Sequence, residues 1–185
     1  MAATTPTPVV GTAAVRALGE RLILPLPEEA SAALPSRGQV AVEAVLNGHA
    51  FTTVVEPDGR KGHWLRADGE LPAGLTLAEG TEVEFTLTPT KAWPEPQIPA
   101  DLGAALEQAD DLEQTWTSIT PMARWEWVRW VGSTRNEDTR ARRVEVSIDK
   151  LRGGKRRPCC FDLASCTDPE LARSGKLIAP EAGQA

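Results

Sequence analysis

Hydrophobic and polar residues alternate along much of the first half of the chain, with the period of two that is typical of β-strands. Residues 40–46 place Val40, Val42, Ala44 and Leu46 on one face. Asn47-Gly48 follows, and this dipeptide favours a two-residue hairpin because both residues tolerate positive φ. Residues 49–56 then return as the second strand of that hairpin. Shorter strands are predicted at 21–27, 62–67 and 82–87.

The period becomes helical after a proline-rich connector. Trp93–Pro99 contains three prolines, which exclude a helix or a central strand because proline lacks an N–H and fixes φ. Beyond it, short helices are predicted at 101–108 and 111–119. Thr120 and Pro121 form a helix start signal, with Thr120 as the N-cap, for a helix that runs to about residue 131.

A last helix is predicted to begin after Asn136, which is a favourable N-cap residue, and to end at Gly153-Gly154. Its apolar positions are three and four residues apart, so they form one stripe on the helix surface. The stripe consists of Ala141, Val144, Ile148 and Leu151.

These patterns predict an α+β protein in which an N-terminal small antiparallel β-barrel precedes a short C-terminal helical domain packed against it. The predicted segments are a flexible N-terminus at 1–11, the barrel at 12–91, a proline-rich linker at 92–99, the helical domain at 100–157 and a cysteine-containing tail at 158–185.

The charge of the 185-residue chain is unevenly distributed. The net charge is −6, yet residues 124–157 hold 11 Lys and Arg against 5 Asp and Glu, a balance of +6. The remainder carries 9 basic and 21 acidic residues, a balance of −12. The asymmetry indicates either a basic face for an anionic partner or a basic element docked on an acidic one. No apolar run reaches the roughly 18 residues of a membrane span, and no signal peptide is recognisable, so we expect a reduced, cytoplasmic protein.

Three stretches of the chain follow one another in a recognisable order. VLNGHAFTT and LTLAEGTEVEFTL lie in the predicted barrel, and WEWVRWVGSTRNEDTRARRVEVSIDKLRGGKRRP lies in the helical part. Together they resemble the bacterial YdeI/OmpD-associated (bacteriocin-protection) family over about residues 12–157. The resemblance implies a small β-barrel domain of unknown function before a short helical domain, and a role in stress resistance or resistance to antimicrobial peptides. The family has no agreed catalytic residues, so the resemblance assigns none here.

Aromatic and basic side chains in the helical part are the candidate ligand-binding residues. Trp125 and Trp127 could line an aromatic site, and Arg140 with Arg143, three residues apart on one helix face, could hold a carboxylate or phosphate. The alternatives are that the tryptophans pack in the core and that the arginines pair with Glu137, Glu145 or acidic residues of the barrel.

A second candidate anion site consists of Lys155, Arg156 and Arg157, which follow Gly153-Gly154 and could equally form a solvated tail. Nucleic acid is not the expected partner, because the sequence pI is about 5.1 and no nucleic-acid recognition motif is present.

Catalytic residues have less support. Cys159 and Cys160 are weak nucleophile candidates because Arg156 and Arg157 could lower a thiol pKa, and His49 and His63 are the available imidazoles. The spacing of the three cysteines matches no common zinc motif, so neither a metal nor another cofactor is expected.

The leading hypothesis is a non-enzymatic binding or protective protein with a site for a small anionic or aromatic ligand at the barrel–helix junction. One alternative is an enzyme that acts on a small organic acid or natural-product intermediate in the same cleft. The other is an anionic-polymer or nucleic-acid binder that uses residues 152–157. The sequence leaves open whether the protein is an enzyme, and it specifies no oligomeric state.

Overall fold

The structure is a computed structural model that describes residues 6–69, 71–158 and 166–178. The chain divides into two compact units, one that runs to Pro94 and also includes Leu177, and one formed by Glu95–Lys176. The first consists mainly of antiparallel strands and the second mainly of helices, which confirms the predicted α+β class.

The first unit is a curved antiparallel sheet with one short helix. Its elements are β1 (Val9–Ala14), β2 (Arg16–Leu18), β3 (Arg21–Pro25), α1 (Glu28–Ala33), β4 (Val40–Leu46), β5 (His49–Pro57), β6 (His63–Arg66) and β7 (Glu82–Pro89). The strand order is β1-β7-β4-β5-β6-β3-β2. Only Val15 separates β1 from β2, so one bent stretch of chain forms both ends of the sheet. This arrangement produces the barrel-like sheet that the alternating pattern predicts.

The β4–β5 hairpin forms where it was predicted. Leu46 pairs with His49, and Asn47 and Gly48 form the turn with φ values of 45° and 84°. The predicted inward face of β4 is buried in the main core of this unit. Helix α1 was not predicted, because its six residues are too few to display a helical period; burial of Ala30 and Ser31 fixes it instead.

The second unit contains four helices among its described residues. They are α2 (Ala100–Glu107), α3 (Glu113–Ser118), α4 (Pro121–Gly132) and α5 (Glu137–Arg152), with a 3₁₀ turn at Asp110–Leu112. Both predicted caps are confirmed. The Thr120 side chain accepts a hydrogen bond from the Ala123 N–H at 3.2 Å, and the Asn136 side chain accepts one from the Thr139 N–H at 2.8 Å. Two further strands, β8 (Ala172–Arg173) and β9 (Lys176–Leu177), pair near the end of the described chain.

The buried stripe of α5 is as predicted except that Ser147 is buried and Ala141 is not. Val144, Ile148 and Leu151 are buried, but Ala141 is exposed and Ser147 is fully buried. Ser147 tolerates burial because its hydroxyl donates to the Arg143 carbonyl, 2.7 Å away within the same helix. Within the described part of the chain, none of the helices combines the length and the hydropathy needed to cross a bilayer.

Candidate functional site

The tryptophans of α4 differ in exposure. Trp127 has no exposed surface, and its indole N–H donates to the Arg156 carbonyl at 3.2 Å. Its ring meets Trp130 edge-to-face, with 6.3 Å between centroids and 76° between planes. Trp125 and Trp130 are half-buried. Trp127 therefore packs in the helical core, where its ring supports Trp130 from behind and presents no face to a ligand.

Arg140 uses its guanidinium fork inside the helical unit. Nε donates to Asp101 Oδ2 at 2.6 Å and Nη2 donates to Asp101 Oδ1 at 3.0 Å. The hydrogen bond from Arg140 holds the pKa of Asp101 below its ordinary value, and the same bond raises the pKa of Arg140. This bidentate pair joins α5 to α2, so the edge of Arg140 that could hold a ligand carboxylate is already occupied.

Other arginines of the basic segment also pair within their own unit. Bidentate or single ion pairs connect Arg152 with Asp111, Arg157 with Glu126, and Arg124 with Glu95. Arg140 pairs with Asp101 and not with the predicted Glu137 or Glu145. Most partners of the basic segment come from the acidic stretch at 95–111. Of the two interpretations of the charge asymmetry, the structure shows a basic element docked on an acidic one.

Arg143 differs from these arginines because its partners are neutral. Its Nη1 donates to the Trp130 carbonyl at 2.7 Å and to Ser133 Oγ at 2.5 Å. The Trp130 carbonyl belongs to the last turn of α4, whose carbonyls lack helical donors. The Arg143 guanidinium carbon lies 5.5 Å from the centroid of the Trp130 ring, and Lys150 Nζ lies 5.1 Å from the same centroid.

We call Trp130, Arg143 and Lys150 the Trp130 cation cluster. Arg143 and Lys150 are seven residues apart on α5, which places both on one face of the helix. Neither cation has a carboxylate partner among the described residues, and Nε and Nη2 of Arg143 donate to none of them. The cluster thus holds two uncompensated positive charges on one aromatic ring, with one guanidinium edge available for a carboxylate or phosphate.

The predicted basic tail is tied to the helices. The Arg156 side chain donates to the Ser118 carbonyl at 2.6 Å, and Arg157 forms a fork with Glu126 that raises the pKa of the arginine. Lys155 is exposed, and its ammonium contacts no partner in the part of the chain that the structure describes. The side chains of Arg156 and Arg157 therefore already form hydrogen bonds within the protein, and among the described residues that of Lys155 does not.

The two histidines lie in different surroundings. His63 is 2% exposed; its Nδ1 is 2.5 Å from the Ser31 hydroxyl and its Nε2 is 3.0 Å from the Gly38 carbonyl. Because a carbonyl can only accept, Nε2 carries the hydrogen in the neutral ring and Nδ1 accepts from Ser31. His49 is half-buried at the start of β5. His63 is thus enclosed, with both ring nitrogens occupied.

The predicted thiol nucleophiles Cys159 and Cys160 lie outside the described residues, so the thiol-enzyme alternative stays a prediction. Cys166 is described and half-buried. Among the described residues, no group of three or more His, Cys, Asp and Glu side chains could hold a metal ion.

Sequence reasoning missed Lys150 and Ser31, and it considered Trp130 with the other tryptophans of α4 but selected Trp125 and Trp127. The seven-residue spacing from Arg143 to Lys150 could have indicated a shared face, and Trp130 follows Trp127 by three residues. Ser31 and His63 are 32 residues apart, and Ser31 lies on a helix with no recognisable pattern, so no signal connects them.

Two known protein families match the chain, one in each of its two units. Residues 95–154 match the family described as "Bacteriocin-protection, YdeI or OmpD-Associated". Residues 12–87 match the family described as "Domain of unknown function (DUF1905)". The helical part of the chain is therefore similar to the YdeI/OmpD-associated family, and the strand-rich part to a domain family of unknown function. This confirms the resemblance seen in the sequence. No curated protein matches the chain. The whole Trp130 cation cluster lies inside the YdeI/OmpD-associated match.

Proposed function

We propose that this protein is a non-enzymatic binding protein of the bacteriocin-protection type, and that its helical unit holds an anionic group of its ligand at the Trp130 cation cluster. The proposal includes the cytoplasmic location expected from the sequence. The family match supports the protective role. The observation that carries the binding role is the guanidinium of Arg143, which is fixed by neutral oxygens and retains two donors without a partner among the described residues.

The geometry favours a carboxylate ligand for a physical reason. Nη1 and the Trp130 ring already restrain Arg143, so a bound carboxylate would lose little side-chain entropy in forming two parallel hydrogen bonds. Lys150 adds a second positive charge at the same ring. An aromatic group attached to the carboxylate could pack on the half-buried indole. Arg140 and Trp127 then position the site. Arg140 connects α5 to α2, and Trp127 packs against Trp130 and holds its ring in place.

Of the four residues proposed from sequence, Arg143 remains at the centre of this hypothesis. Trp125 stays a candidate contact because it lies on the same helix as Trp130 and is half-buried. The placement of the site at the barrel–helix junction stays a prediction.

The test uses benzoate as the probe and benzamide as its uncharged counterpart. Two-dimensional NMR of the indole N–H groups resolves the six tryptophans, and a Trp130→Phe variant assigns the resonance of interest. We expect benzoate, but not benzamide, to shift the Trp130 resonance. Arg143→Gln should weaken benzoate binding at least about tenfold, because a charge-assisted hydrogen-bond pair is lost.

Two further variants separate binding from folding. Arg142→Gln removes an exposed charge next in sequence and should change the affinity by less than about twofold. Lys150→Gln removes a cation that makes no hydrogen bond to α4, so it should lower affinity without lowering the melting temperature. Equal binding of benzoate by the Arg143→Gln variant and the unmodified protein would refute the site.

A further inference from the structure

The outer face of the barrel-like sheet carries a row of mostly apolar side chains that crosses four strands. Val10 on β1 is the cross-strand partner of Thr86 on β7. Val45 on β4 is the other partner of Thr86, and it pairs in turn with Ala50 on β5. Because directly opposite residues point to the same face of a sheet, the four side chains form one line across the strands. We call these four residues the outer row.

The outer row faces solvent. Val10 is 68% exposed and Val45 is 36% exposed, so they are two of the three exposed large hydrophobic residues in the described part of the chain. Only β7 lies between them. Their neighbours in the chain, Val9 and Leu46, are buried in the main core, which is consistent with the alternation of a strand. A single exposed hydrophobic residue is ordinary, whereas two that lie together with Ala50 form a surface that a partner can cover.

Carboxylates flank the outer row on both sides. On β4, Glu43 lies two residues before Val45, and on β7, Glu84 lies two residues before the row. Because β4 and β7 are antiparallel, the two glutamates fall on opposite sides of the row. Both are exposed, and neither forms an ion pair with another described residue. Their cross-strand partners are uncharged threonines, namely Thr12, Thr52 and Thr88.

The dimensions of this surface suit an α-helix that lies along the row. Neighbouring strands are about 4.8 Å apart, so the row is about 14 Å long, which is the length of about ten helical residues. Glu43 and Glu84 are about 13 Å apart in the direction of the strands, since each lies two residues from the row. An α-helix with its side chains is about 10–12 Å wide, so cationic side chains on its two flanks would each reach one carboxylate.

We propose that the outer row binds a basic amphipathic α-helix of a partner protein. The apolar stripe of that helix would cover Val10 and Val45, and its lysine or arginine side chains would pair with the two flanking glutamates. Charge disfavours other occupants. A second copy docked by the same face would bring like charges together, and the same carboxylates would repel an anionic lipid surface. The outer row lies in the barrel-like unit and is independent of the Trp130 cation cluster.

The experiment uses a synthetic peptide, Ala-Leu-Lys-Ala-Lys-Leu-Ala-Ala-Leu-Lys-Ala-Lys-Leu-Ala, acetylated and amidated so that its lysines are its only charges. As a helix, the peptide has its leucines in one stripe and lysines on both flanks. Titration into the full-length protein is followed by two-dimensional NMR of backbone amides and valine methyl groups. We expect the methyl resonances of Val10 and Val45 to shift, and the bound peptide to be helical. A peptide that binds in an extended conformation would contradict the proposal.

Peptide variants separate helix docking from simple charge attraction. A scrambled peptide has the same charge but no leucine stripe, and a peptide with proline at its centre cannot form one continuous helix. Both should bind at least about tenfold more weakly. A peptide with glutamate in place of each lysine should not bind. Equal binding of the scrambled and original peptides would show that charge alone acts, which would refute docking of an apolar stripe.

Two valine substitutions test the apolar part of the surface. Val10→Thr combined with Val45→Thr keeps β-branched side chains of similar shape but removes two methyl groups from the row. This double variant should bind the peptide about tenfold more weakly. Ile98→Thr, which changes the third exposed large hydrophobic residue, is the matched control and should change the affinity by less than about twofold.

Two glutamate substitutions test the flanking charges. Glu43→Gln combined with Glu84→Gln should weaken binding about two- to fivefold and reduce its salt dependence. Glu20→Gln removes an exposed charge between β2 and β3 and is the control. The melting temperature and the amide spectrum verify that each variant is folded.

Arg143→Gln should leave peptide binding unchanged, which separates this proposal from the benzoate site. Unchanged affinity in both double variants, or peptide-induced shifts that leave the outer row unaffected, would overturn the assignment. Sedimentation of the protein without peptide tests the remaining occupant, because a dimer that the peptide dissociates would assign the outer row to a second copy and overturn the proposed partner.

Discussion

Arg140 and Arg143 stand three residues apart on α5, yet their guanidiniums have different partners. Asp101 accepts two hydrogen bonds from the guanidinium of Arg140. Arg143 instead donates hydrogen bonds from one nitrogen to two neutral oxygens, and its guanidinium lies over an indole ring. Their spacing predicts a shared helix face but not the neighbours on that face. The difference makes Arg140 a fastening between helices and Arg143 the better candidate for a ligand.

Substitution of two glycines by alanine tests the backbone conformation of the Asn47-Gly48 turn. Gly48 has a φ of +84° and Gly132 does not have a positive φ, while an added Cβ would contact nothing within 4 Å at either position. Gly48→Ala should therefore lower the free energy of unfolding by about 1–2 kcal/mol through backbone strain. Gly132→Ala in α4 should raise it by about 0.5–1 kcal/mol, since alanine is the better helix former. Urea denaturation measures both, and equal effects would contradict the turn geometry.

Between elements, the contact that sequence patterns missed is the one that joins α1 to β6. Ser31 on α1 and His63 on β6 are both almost fully buried, and Gly38 completes the hydrogen bonds of the imidazole. Buried polar groups of this kind are stable only when each is paired. The arrangement therefore fixes the position of a helix that has too few residues to form independently.

Removal of the serine hydroxyl should reveal this dependence. Ser31→Ala leaves His63 Nδ1 buried without a donor, and we expect a loss of about 1–3 kcal/mol in the free energy of unfolding. The double variant Ser31→Ala with His63→Leu should lose less than the sum of the two single variants, because no unpaired polar atom remains. Thr52→Ala, on an exposed position of β5, is the control. Strict additivity in the double variant would show that the pair does not act as a unit.

At the scale of the whole molecule, the basic segment is balanced within its own unit. Residues 95–176 contain 13 basic and 14 acidic residues, so the segment that looks strongly basic in isolation belongs to a nearly neutral unit. Among the described residues, ion pairs lower the pKa of three aspartates. Burial opposes the shift at Asp68, but Arg21 outweighs it; hydrogen bonds from Arg140 and Arg152 lower the pKa of Asp101 and Asp111.

These shifts predict a loss of stability in acid. A carboxyl whose pKa is lower in the folded than in the unfolded state stabilises the fold above the unfolded value, about 3.9, and this contribution disappears as the pH falls through the folded pKa. Asp101→Asn should cost about 0.3–1 kcal/mol at neutral pH, as expected for a largely exposed pair. The difference from the unmodified protein should shrink below about pH 4. Denaturation of both proteins across this range measures it, with Asp110→Asn as the control, and a pH-independent difference would contradict an electrostatic origin.

The sequence alone determined most of the local structure. Alternation predicted β4 and β5, Asn47-Gly48 predicted their turn, and Thr120 and Asn136 predicted the two long helices, because each signal depends on residues close together in the chain. The family resemblance likewise followed from contiguous motifs, as the matches at 95–154 and 12–87 confirm.

The tertiary structure decided which of the candidate side chains remain available. Trp127 and Trp130 have the same chemistry, but Trp127 is fully buried and Trp130 is half-buried. Arg140 and Arg143 also have the same chemistry, but Arg140 pairs with Asp101 whereas Arg143 donates to Ser133. Side-chain availability is a property of three-dimensional neighbours, and no local pattern in the sequence records it.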